Sequence, residues 1–342
     1  LCLENMKKFF FLLALCFLLL FFTNLGWIIV NSFMWITYGF ESIIHGENLI
    51  ENIYYSDYIR WILLADAIWG VFALIFVYQR KQFKTDEAHF LHTKVIGDPK
   101  ICVTMPAYNE EKAIKLVVSD YVNQKYVKLV IVVDNNSSDN TVKLAEENGA
   151  KVITKNENKG FSHSYVLGLK ESLKTDANVI VITESDGTFN ANDINKLLPY
   201  LENCDVVTGS RSHQVLTEKG NQNGRLHVYG NMFLAKIIQL KYFSLNHLGT
   251  VNLTDVGCGF MIMKRTALEK LIEDMSILDT NKSIWNMSLR FYTILLSIEK
   301  NLRIIEIPIT FKKRIGESKY SGQSISKSLK IGFNFLWLIF IH

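Results

Sequence analysis

Two carboxylates one residue apart, Glu184 and Asp186 in Glu184-Ser185-Asp186-Gly187, directly follow an apolar run, and the glycine behind them permits a tight turn. Hard oxygen ligands at this spacing, completed by substrate phosphates, are a usual way of holding Mg²⁺ or Mn²⁺, although the triplet alone is common. A third carboxylate, Asp134, closes another apolar run and precedes Asn-Asn-Ser-Ser, a sharp turn expected to enter a helix capped by a Ser or Asp. A carboxylate there can accept hydrogen bonds from a base edge or a ribose; plain turn chemistry accounts for the same residues equally well. Pro106-Ala107-Tyr108-Asn109-Glu110 and Gly209-Ser210-Arg211 also follow apolar runs, and the second offers a guanidinium suited to phosphate oxygens.

These groups share a position that the surrounding elements explain. Short β-branched runs at 101–105, 129–134, 151–154, 179–183 and 205–208 alternate with amphipathic stretches at 110–121, 141–148, 162–173 and 192–201. That alternation predicts βαβ units and a mainly parallel sheet covered on both faces. In such sheets ligands gather at the carboxyl ends of the strands, which is where every group above falls. The chain contains no G-x-G-x-x-G, no G-x-x-x-x-G-K-[ST] and no G-x-S-x-G. Dinucleotide-dependent dehydrogenases, P-loop nucleotidases and α/β-hydrolases are thereby disfavoured.

Composition points to a membrane-linked protein. Of 342 residues 49% are hydrophobic and 20% charged, too apolar for disorder and too charged for a membrane bundle alone. The net charge of +4 gives no global reason to expect a nucleic-acid partner. Residues 9–40 carry no charge; as a helix they would extend about 48 Å, against a hydrocarbon core of about 30 Å. One span at about 9–30 and a second at about 61–78, which holds Asp66, are expected. A cleaved signal peptide is the alternative for the first, but the apolar stretch runs too long and no A-x-A site follows. Lys7 and Lys8 precede the first span, Arg80, Lys81 and Lys84 follow the second, and Glu41, Glu47, Glu51 and Asp57 lie between. By the positive-inside rule both ends face the cytoplasm. Asp66 then needs either a polar contact with another helix or a shallow site within reach of water. At the C-terminus Ile325, Leu329, Phe333, Leu336 and Phe340 recur at helical steps, with Lys327 and Lys330 elsewhere on the wheel, the pattern of an interfacial helix or a partial membrane segment. Five cysteines without zinc-ligand spacing read as reduced, mostly buried thiols.

Six motifs in order, M-P-A-Y-N-E-E (105–111), V-V-D-N-N-S-S-D-N-T (132–141), E-S-D-G-T-F (184–189), G-S-R-S (209–212), T-D-V-G-C-G-F (254–260) and R-I-G-E-S-K-Y (314–320), resemble family 2 glycosyltransferases. Within that family the likeness is to polyprenol (dolichol) phosphate sugar synthases, over about residues 99–330. The resemblance implies an α/β GT-A fold and inverting transfer of a hexose from a UDP- or GDP-linked sugar to a polyprenyl phosphate. It implies that Pro106, Tyr108 and Glu110 contact the nucleotide and that Asp134 binds the base. Glu184, Asp186 and Thr188 take the metal positions. Arg211, Arg225, Arg314 and Lys319 are implied phosphate-binding cations, Arg225 facing the acceptor, and Asp255 is implied to orient the donor sugar or act as a base. The chain departs from the family pattern where Glu184 replaces an Asp, where Asn135 stands for a frequent second Asp, and where neutral Thr188 takes the third ligand position. Either Lys313 or Arg314 could hold the C-terminal cation position; Arg314 is preferred.

The expected organisation is a two-span anchor (1–97), a GT-A domain (98–323) and a C-terminal helix (324–342), an integral membrane protein with its catalytic domain in the cytoplasm and an oligomeric state left open. A lipid phosphate is already anionic, so positioning and charge stabilisation carry the chemistry, with Asp186 and Arg211 central. Transfer to a glycolipid or polysaccharide hydroxyl is the competing activity, with Asp255 then required as base. A non-catalytic nucleotide-sugar-binding scaffold is the competing class.

Overall fold

A computed structural model describes residues 96–242, 251–279, 289–316 and 325–341, with individual helical residues between 24 and 75. The chain forms two units, Leu1–Arg80 and Lys81–His342. In the first, the described residues are helical. The expected spans fall largely outside the described residues, and among the described residues no helix is long and apolar enough to cross a membrane. Asp66 is described: its Oδ1 is buried and has no hydrogen-bond partner among the described residues.

The second unit is built on strands β1 (Ile101–Ala107), β2 (Val127–Asp134), β3 (Lys151–Thr154), β4 (Val179–Ile182), β5 (Val206–Ser210), β6 (Met261–Lys264) and β7 (Ile304–Pro308). They form one sheet in the order β3-β2-β1-β4-β6-β5-β7. β1 pairs in parallel with β2 and β4, β2 with β3, and β5 with β7, while β6 runs antiparallel to β4 and β5. The sheet is therefore mainly parallel, as the alternating runs predict. β6 and β7 were not expected. Met261–Lys264 is four residues running straight into a helix with no turn residue between, and β7 carries Glu306 and Pro308, which interrupt an apolar signature at the sheet edge.

The helices are α1 (Ile114–Val122), α2 (Thr141–Glu147), α3 (Phe161–Ser172), α4 (Asp193–Leu197), α5 (Arg225–Lys241), α6 (Arg265–Asp279), α7 (Leu289–Glu299) and α8 (Ile325–Ile341). The expected stretch 192–201 splits into α4 and a 3₁₀ turn (Leu198–Glu202) with Pro199 in its first turn. The expected Ser or Asp cap of α2 is instead Asn140 by backbone geometry, with Asp139 Oδ1 accepting from the Thr141 N–H at 3.0 Å. Alternation along the strands feeds two cores. Ile101, Val103 and Met105 of β1 and Val179 and Val181 of β4 face one side with Ile114 and Val118 of α1. Cys102, Ile180 and Ile182 face the other with residues of α3 and α5 to α8. Cys102, Cys204 and Cys258 are free thiols, and burial pushes Cys102 up to about 12.

Helix α3 sits on β1 and β2 through Gly168, where a Cβ would lie 2.1 Å from the Thr104 hydroxyl and 3.1 Å from Val133. Backbone, not side chain, makes this contact, so α3 and the loop before it are held at a fixed height over the strand ends. Gly168→Ala should cost about 1–3 kcal/mol in urea denaturation through overpacking, although alanine is the better helix former; unchanged stability would show that α3 can shift freely.

Candidate active site at the strand ends

A cleft of about 590 Å³ opens at the carboxyl ends of the parallel strands. It is lined by Pro106 near the end of β1, Tyr108 and Glu110 after it, Asn135 after β2, Glu184, Asp186 and Thr188 after β4, and Arg211 after β5. The local chain explains these placements. The loops after β1 and β2 are laced together: Asn109 N–H donates to Ser137 Oγ, Ser138 N–H to Asn109 Oδ1 and Glu110 N–H to Thr141 Oγ1, each at 2.8 Å. Ser185 Oγ donates to the Pro106 carbonyl at 2.9 Å, tying the β4 loop to the end of β1. The segment after β7 closes the far side, with Lys312 N–H donating to Thr188 O and Ile315 N–H to Asp186 O.

That last pairing delivers Arg314. Its Nη1 donates to Asp186 Oδ2 at 2.7 Å and its Nη2 to Glu110 Oε1. Arg211 makes a two-pronged pair with Asp255, Nε to Oδ2 at 2.7 Å and Nη2 to Oδ1 at 2.8 Å. Asp255 also accepts from Asn231 Nδ2 and the Gly257 N–H. Its own backbone N–H and that of Thr254 donate to Glu306 of β7. Burial alone would raise Asp255, but the Arg211 guanidinium outweighs it and holds the carboxyl below its ordinary range. Asp255 is thus committed to Arg211, which leaves it poorly placed as the free base that the hydroxyl-acceptor alternative requires.

Arg290 was missed. At the start of α7, its Nη1 donates to Glu184 Oε1 and its guanidinium lies 4.2 Å from the Phe161 ring centroid. Its signal in the sequence was a lone charge inside the apolar stretch 289–298. Gly259 makes room for this pair, since a Cβ there would stand 2.1 Å from Glu184 Oε1 and 2.7 Å from Arg290 Nη1. Thr188 is not an independent oxygen: its hydroxyl and N–H both donate to Asp186 Oδ1, at 2.6 and 3.0 Å. Asp134 is fully buried and does not line the cleft, with Oδ2 accepting from Ser137 N–H and Oδ1 without a hydrogen-bond partner among the described residues. Arg225 stands exposed at the first turn of α5, apart from the residues that line the cleft. Lys319 lies outside the described residues.

Three guanidiniums therefore meet four carboxylates in one cleft, Arg211 with Asp255, Arg290 with Glu184, and Arg314 with Asp186 and Glu110. The two carboxylates of the triplet are not equivalent. Burial would raise Glu184, yet Arg290 and Arg211 together hold it below its usual range. Asp186 is pushed up to about 7, first by burial and then by the Glu184 charge, with Arg314 offsetting only part. A divalent cation suits such a donor set: two adjacent carboxylates, one reluctant to ionise beside the other, are relieved by a shared positive charge. Arg290 Nε and Arg314 Nε are buried and have no hydrogen-bond partner among the described residues.

The fold and cleft belong with known proteins. Residues 102–272 match the model of glycosyl transferase family 2, so the chain belongs to that family and is a glycosyltransferase of the hexosyltransferase kind. Polyprenol monophosphomannose synthase of Mycolicibacterium smegmatis is 27% identical over 66% of this chain and 83% of its own length. A UDP-N-acetylglucosamine–dolichyl-phosphate N-acetylglucosaminyltransferase of Methanococcus voltae is 31% identical over 53% of this chain and 75% of its own. Among solved structures, glucosyl-3-phosphoglycerate synthase of Mycobacterium tuberculosis with Mn²⁺, UDP and phosphoglyceric acid superposes with a TM-score of 0.51 at 15% identity, covering 75% of this chain and 84% of that one, a likeness of fold.

The raised Asp186 makes a signed prediction. In the folded state it keeps its proton up to about pH 7, whereas an unfolded aspartate loses it near about 3.9. The folded state therefore binds the extra proton between these values, and the stabilisation from it is lost as pH rises through about 7. With EDTA present, wild type should lose unfolding free energy relative to Asp186→Asn as pH climbs from about 4 to about 7; parallel profiles would show an ordinary carboxyl. Gly259→Ala should retain the folded circular-dichroism spectrum yet lower transfer activity by about tenfold or more, because the Glu184–Arg290 pair must move.

Proposed function

We propose that the protein transfers a hexose, with inversion, from a UDP- or GDP-linked sugar to a polyprenyl phosphate at the cytoplasmic face of a membrane. The observation that carries this reading is the cleft itself: partly buried arginines converge on a two-carboxylate triplet at the strand ends, the arrangement needed to gather several phosphates in one place. The names of the relatives, a polyprenol monophosphomannose synthase and an undecaprenyl-phosphate mannosyltransferase, support the lipid phosphate as acceptor.

In this reading Glu184 and Asp186 would hold a Mg²⁺ or Mn²⁺ ion, which when bound offsets charge developing on the leaving nucleoside diphosphate. Asn135, which follows the fully buried Asp134, lines the cleft and is placed for the base or ribose. Arg314 spans Asp186 and Glu110 and presents further N–H donors to the donor diphosphate. Arg211, made rigid by Asp255, and Arg290, resting on Phe161, are placed for phosphate oxygens on either side of the triplet. An acceptor phosphate is already ionised at neutral pH, so no residue has to remove a proton, which agrees with the commitment of Asp255 to Arg211. Catalysis is then orientation and charge compensation in a partly dry cleft.

The test incubates the full chain in membranes with labelled UDP- and GDP-sugars and a polyprenyl phosphate, with and without Mg²⁺ or Mn²⁺. Metal-dependent label in an acid-labile lipid is expected, falling by about 100-fold or more in Asp186→Ala. Absence of any lipid product across the donor panel would sink the reading, and activity indifferent to EDTA would sink the metal assignment.

A further inference from the structure

The three guanidinium ties in the cleft are not built alike. Arg211 holds Asp255 through two parallel hydrogen bonds at 2.7 and 2.8 Å, and the two side chains are only 13% and 3% exposed. Arg314 bridges two carboxylates, Asp186 and Glu110. Arg290 bonds Glu184 through Nη1 alone among the described residues, and these are the most open side chains of the set, 18% and 23% exposed. A two-pronged buried pair resists opening because its charges are left desolvated; a single-pronged pair nearer the surface opens at less cost. Glu184 with Arg290 is therefore the tie most able to change partners.

Residues from separate segments are fitted to this one pair. Glu184 stands where the family pattern has an aspartate, and its extra methylene carries the carboxylate towards α7. Gly259 leaves the room, since a Cβ there would collide with both Glu184 Oε1 and Arg290 Nη1. Phe161, the first residue of α3, lies 4.2 Å from the Arg290 guanidinium, and its ring leans on Tyr165 of the same helix. The face of a ring attracts a cation whichever anion that cation serves. Arg290, Phe161 and Glu184 all line the cleft, so a guanidinium let go by Glu184 remains on its platform at the cleft wall.

A diphosphate that enters with a divalent cation sets two competitions at once. Cation and arginines compete for the carboxylates, while phosphates and carboxylates compete for the arginines. An exchange of partners satisfies both without leaving a buried charge unmatched. We propose that Arg290 is an exchangeable counter-ion: in the free enzyme it neutralises Glu184, and on donor binding it releases that carboxylate to Mg²⁺ or Mn²⁺ and passes to a phosphate oxygen of the donor. The inference rests on the proposed metal site and adds a linkage to it, in which metal and nucleotide each make room for the other.

The test measures Mn²⁺ binding to the full chain in nanodiscs, by loss of the free-ion electron paramagnetic resonance signal, without nucleotide and with UDP or GDP. In Arg290→Gln, Mn²⁺ should bind the nucleotide-free protein about tenfold or more tightly than in wild type, and the factor by which nucleotide tightens Mn²⁺ should shrink. Arg290→Lys keeps the charge and should stay near wild type without nucleotide. Glu184→Asp withdraws the carboxylate by one methylene, frees the guanidinium beforehand and should tighten metal-free nucleotide binding in calorimetry. It also carries the test if Arg290→Gln fails to give the wild-type circular-dichroism spectrum. Nucleotide-free Mn²⁺ binding that is unchanged or weaker in Arg290→Gln would overturn the exchange, and is what an arginine that merely braces the loop would give. A gain in Arg290→Lys as large as in Arg290→Gln would overturn it too, as would metal-free nucleotide binding in Glu184→Asp no tighter than in wild type. Wild type that binds no Mn²⁺ with either nucleotide would sink the metal assignment and the exchange with it, a result distinct from Mn²⁺ bound alike by wild type and Arg290→Gln.

Discussion

Buried charge is tolerable in this protein only because each guanidinium in the cleft is matched to a carboxylate held by a different strand end or segment. Removing one partner from a buried pair typically costs about 3–5 kcal/mol, because the survivor is left desolvated and uncompensated. Arg211 with Asp255, Arg290 with Glu184, and Arg314 with Asp186 and Glu110 therefore act as cross-ties as well as site groups. Each tie joins parts of the chain far apart in sequence, and Arg314 to Glu110 spans the whole sheet domain. The architecture around them serves to bring these ties to one place.

The same matching gives the site its responsiveness. With every arginine paired to an acid, the cleft can take in phosphates only if some carboxylates acquire another counter-charge or take up a proton. The raised Asp186, whose carboxyl favours the neutral form beside the partly buried Glu184, fits that requirement. Glu306 on the edge strand β7 supports this arrangement from behind by fixing the 254–255 backbone that aims Asp255 at Arg211. The glutamate in β7 carries this support.

Much of this was legible from residue order. Apolar runs of period two and amphipathic stretches between them specify a βαβ sheet, since a strand buried on both faces needs continuous β-branched residues. Carboxylates immediately after such runs fall at one end of the sheet by geometry alone, which is why Asp134, Glu184 and Asp186 could be named. β6, β7 and α5 were not legible. Met261–Lys264 is too short to show a period, β7 is broken by the glutamate and proline its edge position permits, and α5 is apolar on both sides, so its pattern marks no single buried face.

Sequence by itself thus determined the fold class, the family and the strand ends at which chemistry gathers, because these depend on local periodicity and on residues adjacent in the chain. Tertiary structure decided which charges meet. Arg290 joins Glu184 across 106 residues and Arg314 joins Asp186 across 128, and Asp255 turned from a candidate base into the clamp of Arg211. Pairing energies act through space between side chains whose separation in the sequence is unconstrained, so no spacing rule announces them; only the assembled sheet, with its antiparallel β6 and edge β7, sets the distances at which they act.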